Sequence, residues 1–304
     1  MKKHSRLLRH LIAGVVLVIF IGTVEYWLGW RKLLSPWLAL EAEALILAVG
    51  LILSSYFLRT LRIKFAFTDS INGINRLTNC LRLVFIHTFL NNLLPTRTGE
   101  ISFPLLMKRY FSIEIGRSIP TLLWFRFLDF HTLGLISLIG FAALPGYPSW
   151  PFIGLLLPWI SLPVLVRFIA RFLSSRLPGF IQGRFVTITN KLLCGIPEER
   201  SVFLSVWGLS VANWVTKIAA FTWILSRFAQ CDLPPALFGS IAGDLTSVLP
   251  IHGFAGAGSY EAGIMVGLAP FGVETETGVS AAINLHLFVL GSSVIGALIA
   301  LVTN

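Results

Sequence analysis

The sequence predicts an all-α polytopic membrane protein, with about six full spans and two re-entrant helical hairpins arranged as inverted-topology repeats. Of its 304 residues, 55% are hydrophobic and only 12% are charged, and the mean hydropathy is +0.80. A soluble globular domain carries about 25% charged residues. The composition therefore excludes a soluble enzyme, a disordered protein and a nucleic-acid-binding protein.

Six apolar segments have the length of about 20 residues that crosses a bilayer. They cover residues 11–30, 38–58, 118–144, 150–172, 202–228 and 278–302. The first segment follows a basic N-terminus. It is longer than the apolar core of a signal peptide and lacks a small-residue cleavage site, so we expect it to be a membrane helix.

Two further apolar regions are interrupted at their centres by residues that break helices. Residues 80–113 are broken around Pro95 and Gly99, and residues 235–271 are broken between Pro250 and Gly258. Short apolar runs on both sides of such a break are typical of two half-helices that meet in a re-entrant hairpin.

The placement of basic residues predicts the topology. None of the 24 Lys and Arg residues lies after Arg227. Most of them cluster at the N-terminus, in a predicted loop after the second span that includes Arg59 and Arg62, at Lys108, Arg109 and Arg117, and between residues 167 and 200, whereas Arg31 and Lys32 fall on the outer side. The positive-inside rule places these clusters in the cytoplasm. We therefore expect an inner-membrane protein with both termini cytoplasmic, in which the first hairpin enters from the cytoplasm and the second from outside.

Each half of the chain has the same order of a span, a hairpin and a span, in opposite orientations. The first predicted repeat covers residues 38–144 and the second covers residues 202–302. Both lie in a single integral membrane domain, residues 1–304, with no soluble catalytic domain expected. Transporters with inverted repeats place their substrate between two discontinuous helices.

Ionisable residues well inside predicted spans each cost at least about 2.5 kcal/mol on insertion scales, and Arg126, Asp129 and Lys217 are three of them. Arg126 and Asp129 are three residues apart on one helix face, so they can pair with each other, contact the substrate, or do both. Lys217 has no acidic residue within one turn. Its predicted partner is Asp244 or Glu261 of the second hairpin, or a lipid phosphate.

The two hairpin tips are the predicted substrate site. Unwound backbone and the N-termini of half-helices attract anions, and the Arg97 guanidinium can bind a phosphate through two hydrogen bonds. Glu100 can orient Arg97 or take part in proton or ion coupling. The alternative is that both tips are only helix breaks whose polar groups satisfy one another. The predicted substrate-binding residues are Asn91, Asn92, Pro95, Arg97, Gly99, Glu100, Arg126, Asp129, Lys217, Asp244, His252, Gly256, Gly258 and Glu261.

Three motifs resemble those of the flippase-like membrane family, which comprises the transmembrane region of lysylphosphatidylglycerol synthases and its stand-alone relatives. The motifs are Asn91-x-x-x-Pro95-x-Arg97-x-Gly99-Glu100, Arg126-x-x-Asp129, and Leu249-Pro250 leading through glycines to Glu261. The chain departs from the family at Phe125, where a Glu is common, and at His252–Gly253, which replaces a proline-led motif. The resemblance implies lipid translocation between leaflets.

Three functions are compatible with these observations. The first is a flippase for an amphipathic lipid with an anionic or phosphate-containing head group. The second is a membrane-embedded transferase acting on a lipid or polyprenyl phosphate, with Glu100, Asp129 or His252 as its base. The third is a scaffold for a lipid-modifying enzyme, in which the buried charges are structural. Membrane lipids are the expected partners, together with a lipid-modifying enzyme encoded nearby, and no cofactor, metal, catalytic residue or nucleic acid is predicted.

Overall fold

The computed structural model describes residues 22, 25–26, 29–180, 193–248 and 254–302, without the side chains of residues 74–75, 95–97, 173–180, 247–248 and 254. These parts contain ten α-helices and no β-strand. Residues 1–42 and 43–304 form two compact units. In the first unit, helix α1 (Trp30–Leu38) follows Gly29, and the Trp30 backbone N–H donates a hydrogen bond to the Glu25 carboxylate at 2.9 Å.

The other nine helices make up the second unit, apart from Ala42 at the start of α2. In chain order they are α2 (Ala42–Ala66), α3 (Ile74–Leu93), α4 (Ser102–Phe111), α5 (Ile115–Ala142), α6 (Trp150–Phe180), α7 (Arg200–Phe228), α8 (Leu233–Val248), α9 (Ser259–Leu268) and α10 (Thr275–Val302).

Five helices of the described chain are long and apolar enough to cross a membrane, as expected of an integral membrane protein. They are Ala42–Ala66, Ile115–Ala142, Trp150–Phe172, Arg200–Phe228 and Thr275–Val302. Each overlaps one of the predicted spans after the first. The first predicted span, residues 11–30, lies mostly outside the described residues.

The region of the first predicted hairpin contains α3, with 20 residues, and α4, with 10 residues, joined by a 3-10 segment (Pro95–Ile101). Helix α3 ends because Pro95 disfavours the helical conformation at the preceding residue, and Leu94 is extended (φ −81°, ψ 137°). Gly99 lies against the backbone of Leu90 and Asn91, where a Cβ atom would overlap both. A glycine is therefore required for the 3-10 segment to fold back onto α3.

The second predicted hairpin is also a pair of packed helices, α8 and α9. Between them lies a short 3-10 segment (Phe254–Gly256) with left-handed backbone at Ala255 (φ 54°). Helix α9 begins after Gly258, whose N–H is bonded by the Glu261 carboxylate at 2.8 Å. The entry of the two helix pairs from opposite sides of the membrane, and the inverted repeat that follows from it, stay predictions.

The two helix breaks meet in the interior of this unit. The 3-10 segment of the first contacts that of the second, which also contacts α3. Helix α10 packs against α3 and α9, and α7 packs against α5 and α8. This arrangement brings side chains from both halves of the sequence to one place.

Candidate functional site

A cavity of about 90 Å³ lies beside the two breaks. One water molecule requires about 10–15 Å³ of such volume, so the cavity holds several waters or a small polar group. Its walls come from α2, α3, α5, α7, α8, α9, α10 and the 3-10 segment at Phe254–Gly256. Six of the predicted site residues line it, namely Asn91, Asn92, Arg126, Lys217, Asp244 and Gly256.

Arg126 connects the cavity to a buried group of charges. Its guanidinium pairs with Glu100 at 2.5 Å and with Asp129 at 3.0 Å. The predicted pairing of Arg126 with Asp129 is therefore confirmed. Glu100 thus binds Arg126 and attaches the first break to α5. Its two predicted roles, orienting Arg97 or taking part in proton or ion coupling, stay predictions, since the Arg97 side chain lies outside the described residues.

Asp129 is the centre of this group and is only 1% exposed. Its Oδ1 atom accepts hydrogen bonds from Nη1 of Arg62 at 2.6 Å and from Nε1 of Trp214 at 2.7 Å. Arg62 also donates to the Ser210 hydroxyl at 3.1 Å. One carboxylate thus links α2, α5 and α7, which means that Asp129 has a structural role.

The prediction that Arg59 and Arg62 belong to a cytoplasmic loop is wrong. Helix α2 continues to Ala66, eight residues beyond the predicted end of the span, so both arginines are helical. Arg62 is 3% exposed, and Arg59 lines the cavity. The Arg59 guanidinium donates a hydrogen bond to the Thr88 hydroxyl at 3.0 Å. Sequence analysis missed Arg59, although its three-residue spacing from Arg62 places the two on one helix face.

Lys217 lies on the opposite side of the cavity. Its ammonium group pairs with the Asp244 carboxylate at 3.0 Å, which identifies the partner among the two predicted carboxylates. The ammonium also lies over the rings of Trp214 and Phe221, at 4.5 and 5.0 Å from their centroids. Cation–π contacts of this kind stabilise a buried charge.

Glu261 does not contact Lys217 in the described contacts but binds His286 of α10. His286 Nδ1 lies 2.6 Å from Glu261 Oε1, and its Nε2 lies 2.8 Å from the Ala255 carbonyl oxygen. His286 lines the cavity and is the second residue that sequence analysis missed. An ionisable residue inside an apolar span is a signal that could have revealed it.

The remaining predicted residues lie near the cavity or outside the described part. Asn91 and Asn92 lie in the last turn of α3. The Asn91 side-chain oxygen is buried without a hydrogen-bond partner among the described residues. Gly99 and Gly258 belong to the two breaks. His252 and the side chains of Pro95 and Arg97 lie outside the described residues, so their placement at the site stays a prediction.

The described side chains have no cluster suited to a metal ion, since no three His, Cys, Asp or Glu groups come together there. The chemistry available at the cavity is that of three cations, one carboxylate, two histidines, two asparagines and aromatic rings. Such a set can bind an anionic group and hold it by charge and hydrogen bonds.

Comparison with known proteins identifies the family. No curated protein and no solved structure gives a significant match to the chain. One family profile, described as the lysylphosphatidylglycerol synthase TM region, matches residues 7–296, which is nearly the whole chain. The protein therefore belongs to the family of the lysylphosphatidylglycerol synthase transmembrane region.

Proposed function

We propose that the protein moves an amphipathic lipid with an anionic or phosphate-containing head group between the leaflets of the membrane. The head group enters the cavity beside the two helix breaks while the acyl chains stay in the bilayer. The family membership supports a membrane function related to lipids. The choice of an anionic head group depends on the charges of the cavity wall.

The proposal rests on the charge of Arg59, which has no carboxylate partner in the described contacts. Arg126 is balanced by Glu100 and Asp129, and Lys217 is balanced by Asp244. For Arg59, the contacts of the described residues include the Thr88 hydroxyl but no carboxylate within 4 Å. Arg59 is half-buried, and a cation taken partly out of water is costly without a counter-charge. A lipid phosphate in the cavity would supply that charge.

The other walls of the cavity suit the rest of a lipid head-group region. Leu94, Val289 and Leu290 provide apolar surface next to the charged groups. Asn91 and Asn92 provide hydrogen-bonding groups for a glycerol or a similar polar substituent. A site that is both charged and apolar is suited to the junction between head group and acyl chains.

The proposal also covers the location of the protein, its partner and the driving force. We place it in the inner membrane with both termini in the cytoplasm, because the positive-inside rule assigns the basic N-terminus and the basic residues between 167 and 200 to that side. A lipid-modifying enzyme that makes or consumes the transported lipid is the expected partner. The sequence contains no Walker A or GxGxxG motif. A gradient, the membrane potential or equilibration is therefore the expected driving force.

A reconstitution experiment tests this function. Purified protein is placed in phosphatidylcholine vesicles that contain a trace of fluorescent phosphatidylglycerol, and an impermeant quencher reports the lipid in the outer leaflet. We expect wild-type protein to move the label and Arg59→Gln to move it about tenfold more slowly, since a hydrogen bond to a charged group contributes about 1.5–3 kcal/mol.

Arg117→Gln is the matched control. Arg117 is an arginine of α5 whose ion pair with Asp69 is exposed, with 45% and 58% of the two side chains accessible. This variant is expected to move lipid at the wild-type rate. Arg59→Gln at the wild-type rate, or wild-type protein that moves no lipid, would contradict the proposal. A chemically altered lipid in the vesicles would instead indicate the transferase.

A further inference from the structure

The hydrogen bonds of His286 determine how many protons it shares with Glu261. Nε2 faces the Ala255 carbonyl oxygen at 2.8 Å, and a carbonyl can only accept, so Nε2 carries a proton. Nδ1 faces Glu261 Oε1 at 2.6 Å. Neither an ionised carboxylate nor a bare ring nitrogen can donate, so this contact requires a second proton between the two atoms.

The other carboxylate oxygen of Glu261 has its own donor. Glu261 Oε2 accepts a hydrogen bond from the Gly258 backbone N–H at 2.8 Å. The shared proton therefore has a fixed position, between Oε1 and Nδ1. When one proton leaves for water, the neutral ring keeps a single proton, either on Nδ1 or on Nε2. In the first case a lone pair on Nε2 faces the Ala255 carbonyl, and in the second a lone pair on Nδ1 faces the carboxylate, so one of the two contacts is lost in either tautomer.

The proton also affects the shape of the second break. Ala255 has left-handed backbone geometry (φ 54°), which is unfavourable for a residue with a Cβ atom. Its carbonyl is bonded by His286, so the histidine ties this strained turn to α10. Ala255, Gly256 and His286 all line the cavity. A change in the histidine contact thus changes the cavity wall.

We propose that Glu261 and His286 form a proton-binding site, in which one exchangeable proton holds the second break against α10 and couples to occupancy of the cavity by an anionic head group. The coupling to lipid rests on the proposed function, whereas the proton site does not. An anion in the cavity favours a positive charge on the wall, so proton and head group each strengthen the binding of the other.

Other charged and titratable groups face the same cavity and must be distinguished from this pair. They come from the elements around α10 and are Tyr56, Arg59, His87, Arg126, Lys217, Asp244 and Tyr260. The Tyr260 ring lies against the His286 ring, with centroids 4.9 Å apart. His87 Nδ1 is bonded to the Ser102 hydroxyl rather than to a carboxylate in the described contacts. A hydroxyl can donate or accept, so that contact does not require a second proton.

Glu261→Gln separates the pair from these other groups. The amide oxygen can accept from the Gly258 N–H, and the amide NH₂ can donate to Nδ1 of a neutral His286, which still donates from Nε2 to Ala255. This variant preserves every hydrogen bond without the shared proton. It should therefore fold and hold the break at every pH.

Hydrogen exchange of the purified protein measures the effect. In wild type, amides in residues 255–262 should lose about tenfold protection as the pH is raised from acidic to alkaline, after correction for intrinsic exchange, because one buried hydrogen bond is lost. Glu261→Gln should remove this pH dependence. His131→Gln should retain it, since Nε2 of His131 in α5 contacts the Trp159 carbonyl of α6, away from the break. Wild-type protection that does not change with pH, or full pH dependence in Glu261→Gln, would overturn the proton site.

A transport measurement tests the coupling separately. In the phosphatidylglycerol vesicles, a pH gradient should change the rate of lipid movement by wild type and His131→Gln but not by Glu261→Gln. If wild type moves lipid at a rate independent of the gradient, the coupling is overturned while the lipid function stands. If wild type moves no lipid at all, the lipid function and the coupling both fail, and the exchange data still decide the proton site.

Discussion

Replacing Asp129 by asparagine should destabilise the protein strongly, because the substitution leaves Arg62 buried without a counter-charge. Arg62 is 3% exposed and cannot turn into water without moving α2. Removing one partner of a buried ion pair costs about 3–5 kcal/mol. The asparagine oxygen can still accept from Trp214, and Arg126 keeps Glu100 at 2.5 Å. We therefore expect about 3 kcal/mol, the lower end of that range.

Denaturant unfolding of the purified protein in detergent, followed by circular dichroism, measures this free energy. Asp69→Asn is the matched control. Asp69 forms an exposed ion pair with Arg117, which lies on α5 like Asp129, and this pair should contribute at most about 1 kcal/mol. The double variant Arg62→Met, Asp129→Asn should recover much of the lost stability, because it removes both charges. If Asp129→Asn falls within about 1 kcal/mol of Asp69→Asn, the assignment of Asp129 as the centre of the buried network is refuted.

Two further predictions concern packing and pH. Gly99→Ala should cost about 1–3 kcal/mol in the same unfolding assay, because the added Cβ overlaps the backbone of Asn91. Gly50→Ala is the control, since there is open space at its Cβ, and it should not destabilise the protein. Equal losses of unfolding free energy in the two variants would contradict the close approach at Gly99. The hydrogen bond from Arg117 lowers the pKa of Asp69 below its ordinary value of 3.8. The stabilisation by this pair is therefore present above the ordinary pKa and lost as the pH falls through the lower, folded-state pKa. The free energy of unfolding of wild type should exceed that of Asp69→Asn by a small amount that disappears at the lowest pH. A difference that grows on acidification would contradict the lowered pKa of Asp69.

The sequence predicts the helices well because hydropathy and helix breakers are local signals. The apolar runs at 118–144, 150–172, 202–228 and 278–302 each overlap a long helix, and Pro95 marks the first break. The same reasoning failed at Arg59 and Arg62. A base at the end of an apolar run is read as a loop residue by the positive-inside rule, whether it faces the cytoplasm or the protein interior.

The site depends on contacts between distant parts of the chain, which a single sequence does not contain. The pairing of Arg126 with Asp129 was predictable because three residues separate them on one helix. The pairing of Lys217 with Asp244 was predicted only as one of several alternatives. The contact between Glu261 and His286 was not predicted, because it requires knowing which face of α10 packs against the second break.

The buried pair of Arg62 and Asp129 also has a consequence for the biogenesis of the protein. The two residues are 67 positions apart, so α2 is synthesised before the carboxylate that neutralises its arginine. Arg62 lies near the C-terminal end of α2, so its insertion costs less than the value of about 2.5–3.5 kcal/mol that translocon scales give for an arginine at the centre of a helix. Helix α2 must bear this cost until α5 has been made, and Trp214 arrives later still. The ion pair therefore forms only after α5 has been made, and a nascent chain that stops before α5 leaves Arg62 without the Asp129 carboxylate.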